Sequence, residues 1–405
     1  GAKLHVVGSD STNILKVQGN GSVAGIQISK DGSDVNAIAT TSTNLLFQTG
    51  ASTRFIIDSN SRISLSNNDS GTSNTVFGKL AGNNIDSGSN YNTFIGEQVS
   101  DATMDDASSN VGVGYASLSA LTQGDHNVAI GANVMNELTT GSQNVGMGLS
   151  ALRYNQTGTG NVALGHQSLQ GSSSNSTSNN TAVGRASMLA TTTGHDSVAI
   201  GYYALQGTFT GDNTVAVGYQ SGYSITGGRY NTLVGSDSGY SITGNSHNTY
   251  VGNNAGHSAN QSYNVYMGSS AGRYIGGGGN NVALGYESMK SSGTPSNNTG
   301  ANNTSVGYHS LYAITSGSHN VAIGKGALDA GTTVTNNVAV GNDALGSNVS
   351  GNFNTAIGQS CLLTNTNSYM TAMGFNALRL NSSGSANVGF GYNAGYGNNT
   401  GDNNT

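Results

Sequence analysis

Along most of this chain the apolar positions recur in one short unit. The unit reads Asn127-Val128-Ala129-Ile130-Gly131, returns as Asn144-Val145-Gly146-Met147-Gly148, and again as Asn161-Val162-Ala163-Leu164-Gly165. Nineteen copies lie between Asn74 and Gly391, and twelve of the 18 intervals between closing glycines are 17 residues. A fixed short period marks a solenoid, whose units bury apolar surface only by stacking on one another. The slot after the Asn is Val or Thr in all 19 copies, and the slot before the closing Gly is apolar in all 19. Two residues apart on a strand, these slots share one side. Their apolar character predicts that this side is the inside of the coil. The middle slot then points out, and its small residues predict close approach of another chain.

The rest of the unit is turn. The Asn slot is Asn in 16 of 19 copies, with Ser197, Thr214 and Met370 as exceptions. Stacked Asn side chains predict a hydrogen-bond ladder. Upstream glycines such as Gly124, Gly141, Gly158, Gly317 and Gly384 predict a corner of positive φ. Four residues after the closing Gly comes a large slot, as in Leu152, Leu169, Leu205 and Leu328. Twelve copies hold Leu or Met there, and all twelve have Ala, Gly or Ser in the middle slot. In five copies the middle residue is large (Val76, Phe94, Leu233, Tyr250, Tyr266), and the large slot shrinks to Gly82, Ser100, Gly239, Gly256 and Gly272. The trade predicts one shared packing space. Ala216 with Gly222 and Gly389 with Gly395 are small at both slots, and Leu233 is placed to lean into the first gap. Cys361 occupies a small slot before Leu362 and reads as an Ala substitute.

Residues 1–73 lack the period. Short alternating runs at 3–7, 14–17, 25–28, 44–47, 54–57 and 62–65 read as strands joined by turns. The expectation is a separate β module at 1–73 (neck or attachment region) before a repeat shaft at 74–405. Two insertions, at 171–179 and 291–302 with the single Pro295, read as loops bulging from the shaft.

Composition narrows the function. Charged residues are 8%, and Gly is 62 of 405, far from the usual soluble profile. With 13 Lys plus Arg and a net charge of −6, clustered cations for nucleic acid are missing. No apolar run is long enough for a spanning helix, and no signal peptide is visible. The first residue is Gly1 and the last copy stops at Asn404-Thr405, which suggests a piece of a longer polypeptide. The fold expected is all-β: a parallel β-solenoid or β-roll of about 19 coils, two- or three-sided, without an interior pocket.

Two resemblances sharpen this. The segment Ser52-Thr53-Arg54-Phe55-Ile56-Ile57-Asp58-Ser59-Asn60 resembles the R-x-x-I-D-S-x-G segment of bacteriophage tail fibres, near a Lys3-to-Val6 opening of the same kind. The repeated Asn-Val-Ala-Ile-Gly unit resembles the repeats of trimeric autotransporter adhesin heads. Its fuller form, from Asn320 to Leu328, resembles repeats of bacteriophage tail fibres, some of which carry a C-terminal chaperone domain that directs trimerisation and is cleaved. The resemblance implies a homotrimeric fibre giving mechanical reach and host-surface attachment. Its location would be the virion, or a bacterial cell surface if the chain is an adhesin. Its partners would be two further copies, other tail proteins and a host glycan or protein receptor.

Candidate chemistry is sparse. Glu occurs rarely, at Glu97, Glu137 and Glu287, and no two carboxylates fall in corresponding slots of adjacent units with a flanking acid or base, so a glycosidase pair, and with it a polysaccharide-degrading tailspike, is the weaker alternative. No catalysis, cofactor or metal is expected. His126, His247 and His319 share the slot before the core Asn in distant copies and read as exposed turn residues, a three-His axial site being the alternative. The slot after the closing Gly holds Tyr115, Tyr202, Tyr219, Tyr286, Tyr308 and Tyr392 in some copies. Exposed tyrosines suit stacking on sugar rings, and these six are the candidate binding residues.

Overall fold

The computed structural model describes residues 73–172, 175–291 and 293–405, together with the backbone of five upstream strands. Those five are β1 (Ala24–Ile28), β2 (Asn36–Thr40), β3 (Leu45–Thr49), β4 (Ser52–Ile57) and β5 (Ile63–Ser64). They form an antiparallel meander in chain order. Four of the expected runs fall on β1, β3, β4 and β5, while β2 was not among them. The runs at 3–7 and 14–17 lie outside the described residues.

From residue 74 onward the chain is a parallel β-solenoid. Nineteen three-residue strands, β6 (Thr75–Phe77) to β24 (Val388–Phe390), supply one strand per coil. Each pairs in parallel with the next: Val145 beside Val162, Gly146 beside Ala163, Met147 beside Leu164. Pairing runs only between sequence neighbours, so the sheet is an open ladder. At ~4.8 Å per coil its length is about 90 Å. The one helical turn among the described residues is Pro295–Asn297.

The strand faces the opposite way from the sequence expectation. In every coil the middle residue is buried and its two neighbours, a Val or Thr and an apolar residue, face outward. The coil is too thin for two inward strand residues. Its interior bulk comes from the opposite wall, where the large-slot Leu or Met and a further apolar residue, such as Leu138 or Ile314, are fully buried. The small middle residue therefore answers to its own chain, not to another. A Cβ added at Gly146 would lie 2.9 Å from Met135 Cε of the preceding coil and 3.7 Å from Leu152 Cδ1.

The shared packing space is present, and it spans two coils. A Cβ on Gly256 would sit 2.5 Å from the Tyr250 ring, and one on Gly272 2.4 Å from the Tyr266 ring. Gly222 meets Leu205 Cδ2 of the preceding coil at 2.8 Å and Leu233 Cδ1 of the following coil at 2.9 Å. The gap beside Ala216 is thus filled from both sides. A large middle residue needs a small partner in its own coil and in the one before. Leu233 has Gly222 and Gly239, Tyr250 has Gly239 and Gly256, and Tyr266 has Gly256 and Gly272.

Backbone strain reinforces the trade. All twelve Leu or Met residues of the large slot have left-handed φ, from 46° to 54°. For a non-glycine residue this costs about 1–3 kcal/mol, which full burial of a Leu, roughly 1.5–3 kcal/mol, offsets. Where a neighbouring ring claims the space, that offset is lost, and Gly adopts the same φ without strain. The corner glycines have a different reason. Gly141 lacks positive φ, contrary to expectation, but its added Cβ would stand 2.3 Å from Gly158 O of the next coil. Coil-to-coil approach, not φ, excludes a side chain there. The left-handed corner lies two residues on, at Gln143 with φ 59°.

The Asn ladder forms as expected. Asn127 Oδ1 accepts from the Asn144 backbone N–H at 3.0 Å and from Asn144 Nδ2 at 3.1 Å. Asn144 Nδ2 also donates to Gly158 O at 2.8 Å. The Asn144 amide thus ties its own coil to the one before and the one after, through buried groups that need partners. At the exceptions Thr214 N–H donates to Ser197 Oγ at 3.1 Å, and Asn387 N–H approaches Met370 Sδ at 3.5 Å. The insertion at 291–302 does not simply bulge. Asn298 Nδ2 donates to Tyr274 O at 2.8 Å, and Gly277 N–H donates to Asn298 O at 2.9 Å, which seats it on the preceding coil.

The two-coil rule predicts a mutational series. Ala163→Tyr alone should lower stability by about 1–3 kcal/mol through overpacking. Adding Leu169→Gly should recover only part of this, because Leu152 still fills the space from the preceding coil. Adding Leu152→Gly as well should recover more, as a coupling in thermal or denaturant unfolding. Purely additive losses across the three substitutions would reject the shared layer.

Candidate interaction surfaces

The outward strand face is the largest feature. Its two columns hold Val or Thr and an apolar residue at every level, with no charge in any of the 19 coils. Phe77 is 64% exposed, Phe390 62% and Met147 47%, and Ile200, Met267, Ile323 and Met373 are also exposed. Side chains of these types are ordinarily buried, and soluble monomers rarely leave such a continuous apolar surface open.

The tyrosine row flanks this face, immediately after the closing glycine. Tyr115, Tyr219, Tyr286, Tyr308 and Tyr392 are exposed, and Tyr202 is half-buried. The fold does not gather the six into one platform. It orders five of them, all but Tyr115, in short ladders, because successive coils set the same slot one above another. Tyr286 and Tyr308 stack at 5.6 Å and 10°, Phe375 and Tyr392 at 5.6 Å and 9°, and Tyr202 lies 5.7 Å from Tyr219. Rings stacked in this way cover one another's faces, leaving only the end faces of a ladder for a ligand. Arg185 lies over the Tyr202 ring at 5.4 Å.

Other rows carry aromatics that the sequence reading did not single out. Tyr223, Tyr240 and His257 form one ladder, at 4.9 and 5.0 Å. Tyr230, His247 and Tyr263 form another, at 5.0 and 5.1 Å. His126, His247 and His319 are all exposed, and His247 is an element of a ring stack. Among the described residues no three His, Cys, Asp or Glu are grouped as metal ligands. Cys361 is buried, and burial pushes its thiol pKa up to about 11, which makes it a poor nucleophile.

The ionisable residues that do meet are brought together by coil stacking. Glu287 Oε1 accepts from Lys290 Nζ at 2.7 Å, and Glu287 Oε2 pairs with His309 Nε2 at 2.9 Å. The Glu287 side chain is only 13% exposed. His309 in turn stacks 3.9 Å from the Tyr308 ring and 4.6 Å from the Tyr312 ring. Glu287 and His309 occupy one slot in adjacent coils, but the insertion separates them by 22 residues, which hid the pair. A second cluster joins Asp212 to His195 at 3.1 Å and to Arg229 at 3.2 Å. Half-buried Asp329 has its pKa raised by desolvation and by neighbouring Asp343.

The chain matches no family model, no curated protein and no solved structure.

Burial raises the proton affinity of Glu287, and Lys290 and His309 more than reverse this, so its pKa lies below the ordinary carboxylate value. A carboxylate depressed in the fold stabilises fully above its unfolded pKa and loses that contribution as pH falls through the folded value. Glu287→Gln should therefore flatten the acid limb of the thermal midpoint against pH, below about pH 4.3. Superimposable acid limbs for the variant and the parent chain would contradict the ion-pair geometry.

Proposed function

We propose that the chain is the shaft of a homotrimeric fibre that carries host-surface attachment, of the kind borne on bacteriophage tails, with no catalytic role. The observation that carries this reading is the uncharged apolar strand face repeated at every coil. A surface of this length and period needs a partner with the same rise and the same residue types at each level. A second copy of the same chain, parallel and in register, meets that requirement by construction. The face requires only that another copy cover it; the number three comes from the resemblance of the Asn-Val-Ala-Ile-Gly repeat to trimeric adhesin heads and tail fibres. A bacterial trimeric adhesin is the alternative source of the same architecture.

The attachment role rests on the outer rows. Coil backbones here are hydrogen-bonded along the whole stack, from Thr75 N–H to Asn92 O at one end to Val388 N–H to Asn404 O at the other. A rigid rod of this kind suits reach, and its surface aromatics suit contact with a receptor.

Sedimentation of the folded protein should give a particle of three times the 40.8 kDa chain mass. Met147→Lys with Ile323→Lys, which set like charges within the proposed interface, should dissociate it while leaving the β-rich circular dichroism unchanged. A stable, monodisperse monomer at micromolar concentration would overturn the assembly.

A further inference from the structure

We infer that the face of Tyr286 turned toward the preceding coil is a binding site for a neutral saccharide, with the Glu287–Lys290 pair as its polar edge. The inference rests on the surface-attachment reading and gives it a place and a ligand chemistry.

Ring access comes first. A pyranose packs its apolar C–H face on an aromatic face, not on an edge. Within a ladder the inner faces are taken by neighbouring rings, as Tyr308 covers one face of Tyr286. At the other face the register sets Ser269 below Tyr286, since Met267 pairs with Leu284 in the adjacent strands. Ser269 is small, and no ring or cation covers that face among the described contacts. The corresponding end of the Tyr202 ladder is closed by Arg185.

Polar contacts come second. Glu287 follows Tyr286 directly, and its backbone N–H donates to Ser269 O at 2.9 Å. The residue is thereby fixed against the same coil that floors the ledge. Its carboxylate is held ionised and oriented by Lys290 and His309. Each carboxylate oxygen keeps a second acceptor site, and Lys290 keeps donors. A fixed acceptor beside a donor matches a pair of adjacent sugar hydroxyls, and charge-assisted bonds of this kind are the stronger ones. The Lys290 charge is already matched by Glu287, and the chain carries −6 overall. Those two facts disfavour an anionic sugar and select a neutral hexose or N-acetylhexosamine.

The test uses the intact folded assembly. Oligomers of glucose, galactose and N-acetylglucosamine, and sialylated counterparts, are screened by saturation-transfer NMR, and the best neutral binder is titrated calorimetrically. Tyr286→Ala should weaken binding about tenfold or more, the effect of losing some 1.4 kcal/mol. Tyr286→Phe should retain most of it, Glu287→Gln should weaken it, and Tyr91→Ala, at an exposed turn position ahead of the second coil's Asn92, should leave it unchanged. Thermal midpoints check that each variant is folded. No neutral binder, a preference for the sialylated probes, or equal affinity for Tyr286→Ala and the parent chain would overturn the site. Sedimentation of the same samples separates the two readings: a trimer without saccharide binding rejects this site alone, and a saccharide-binding monomer rejects the assembly alone.

Discussion

A coil of this solenoid has room for one inward strand residue, and most of the structure follows from that limit. With a three-residue strand and an interior one side chain deep, only the middle residue enters. The opposite wall must then supply the bulk, and it does so with a Leu or Met in a left-handed conformation. That geometry explains why Tyr250 and Tyr266 are each flanked by two glycines in the large slot. It also leaves a Val or Thr and an apolar residue of each strand on the outside. The Asn ladder holds the repeating turn at a fixed rise, because an amide such as that of Asn144 accepts the strand-entry N–H of the following coil and donates to that coil's corner carbonyl.

Tyr250 and Tyr266 show how narrow the interior is. Both are fully buried and stack at 5.0 Å and 8°. Burial drives both hydroxyl pKa values upward, so neither ionises in the fold. Neither hydroxyl makes a hydrogen bond of good geometry, although Asn264 and Asn281 lie close enough to act on them. Asn264 Nδ2 bonds Gln261 O at 3.2 Å instead of a carbonyl in the following coil. Two large rings are thus accommodated where Gly239, Gly256 and Gly272 open the layer, at some expense to the regular ladder.

Much of this was legible in the residues. The period placed all nineteen strands, the Asn slot announced its ladder, and the exchange of Leu152-type bulk for Tyr250-type bulk identified a common space. The facing of the strand was not legible. Alternation shows which residues share a side, not which side is inside. Val128 and Ile130 are larger and more apolar than Ala129, so size pointed the wrong way once the far wall supplied the filling. The tyrosine row was readable as a set of positions. Its division into ladders was not, because that depends on which neighbours in adjacent coils are rings, cations or serines. The Glu287–His309 contact was masked by the insertion between them.

The central claim is that the apolar strand face is covered by other copies in register. Cys361 is buried and is the chain's single cysteine, so an introduced thiol is a clean probe. Ile323→Cys, oxidised mildly in the folded protein, should form a disulfide between identical positions of two copies, while Ser316→Cys on the far side of the same coil should not. Cross-linking confined to Ile323→Cys is the outcome expected. Freely alkylated monomers at Ile323→Cys, with no covalent dimer, would contradict the account.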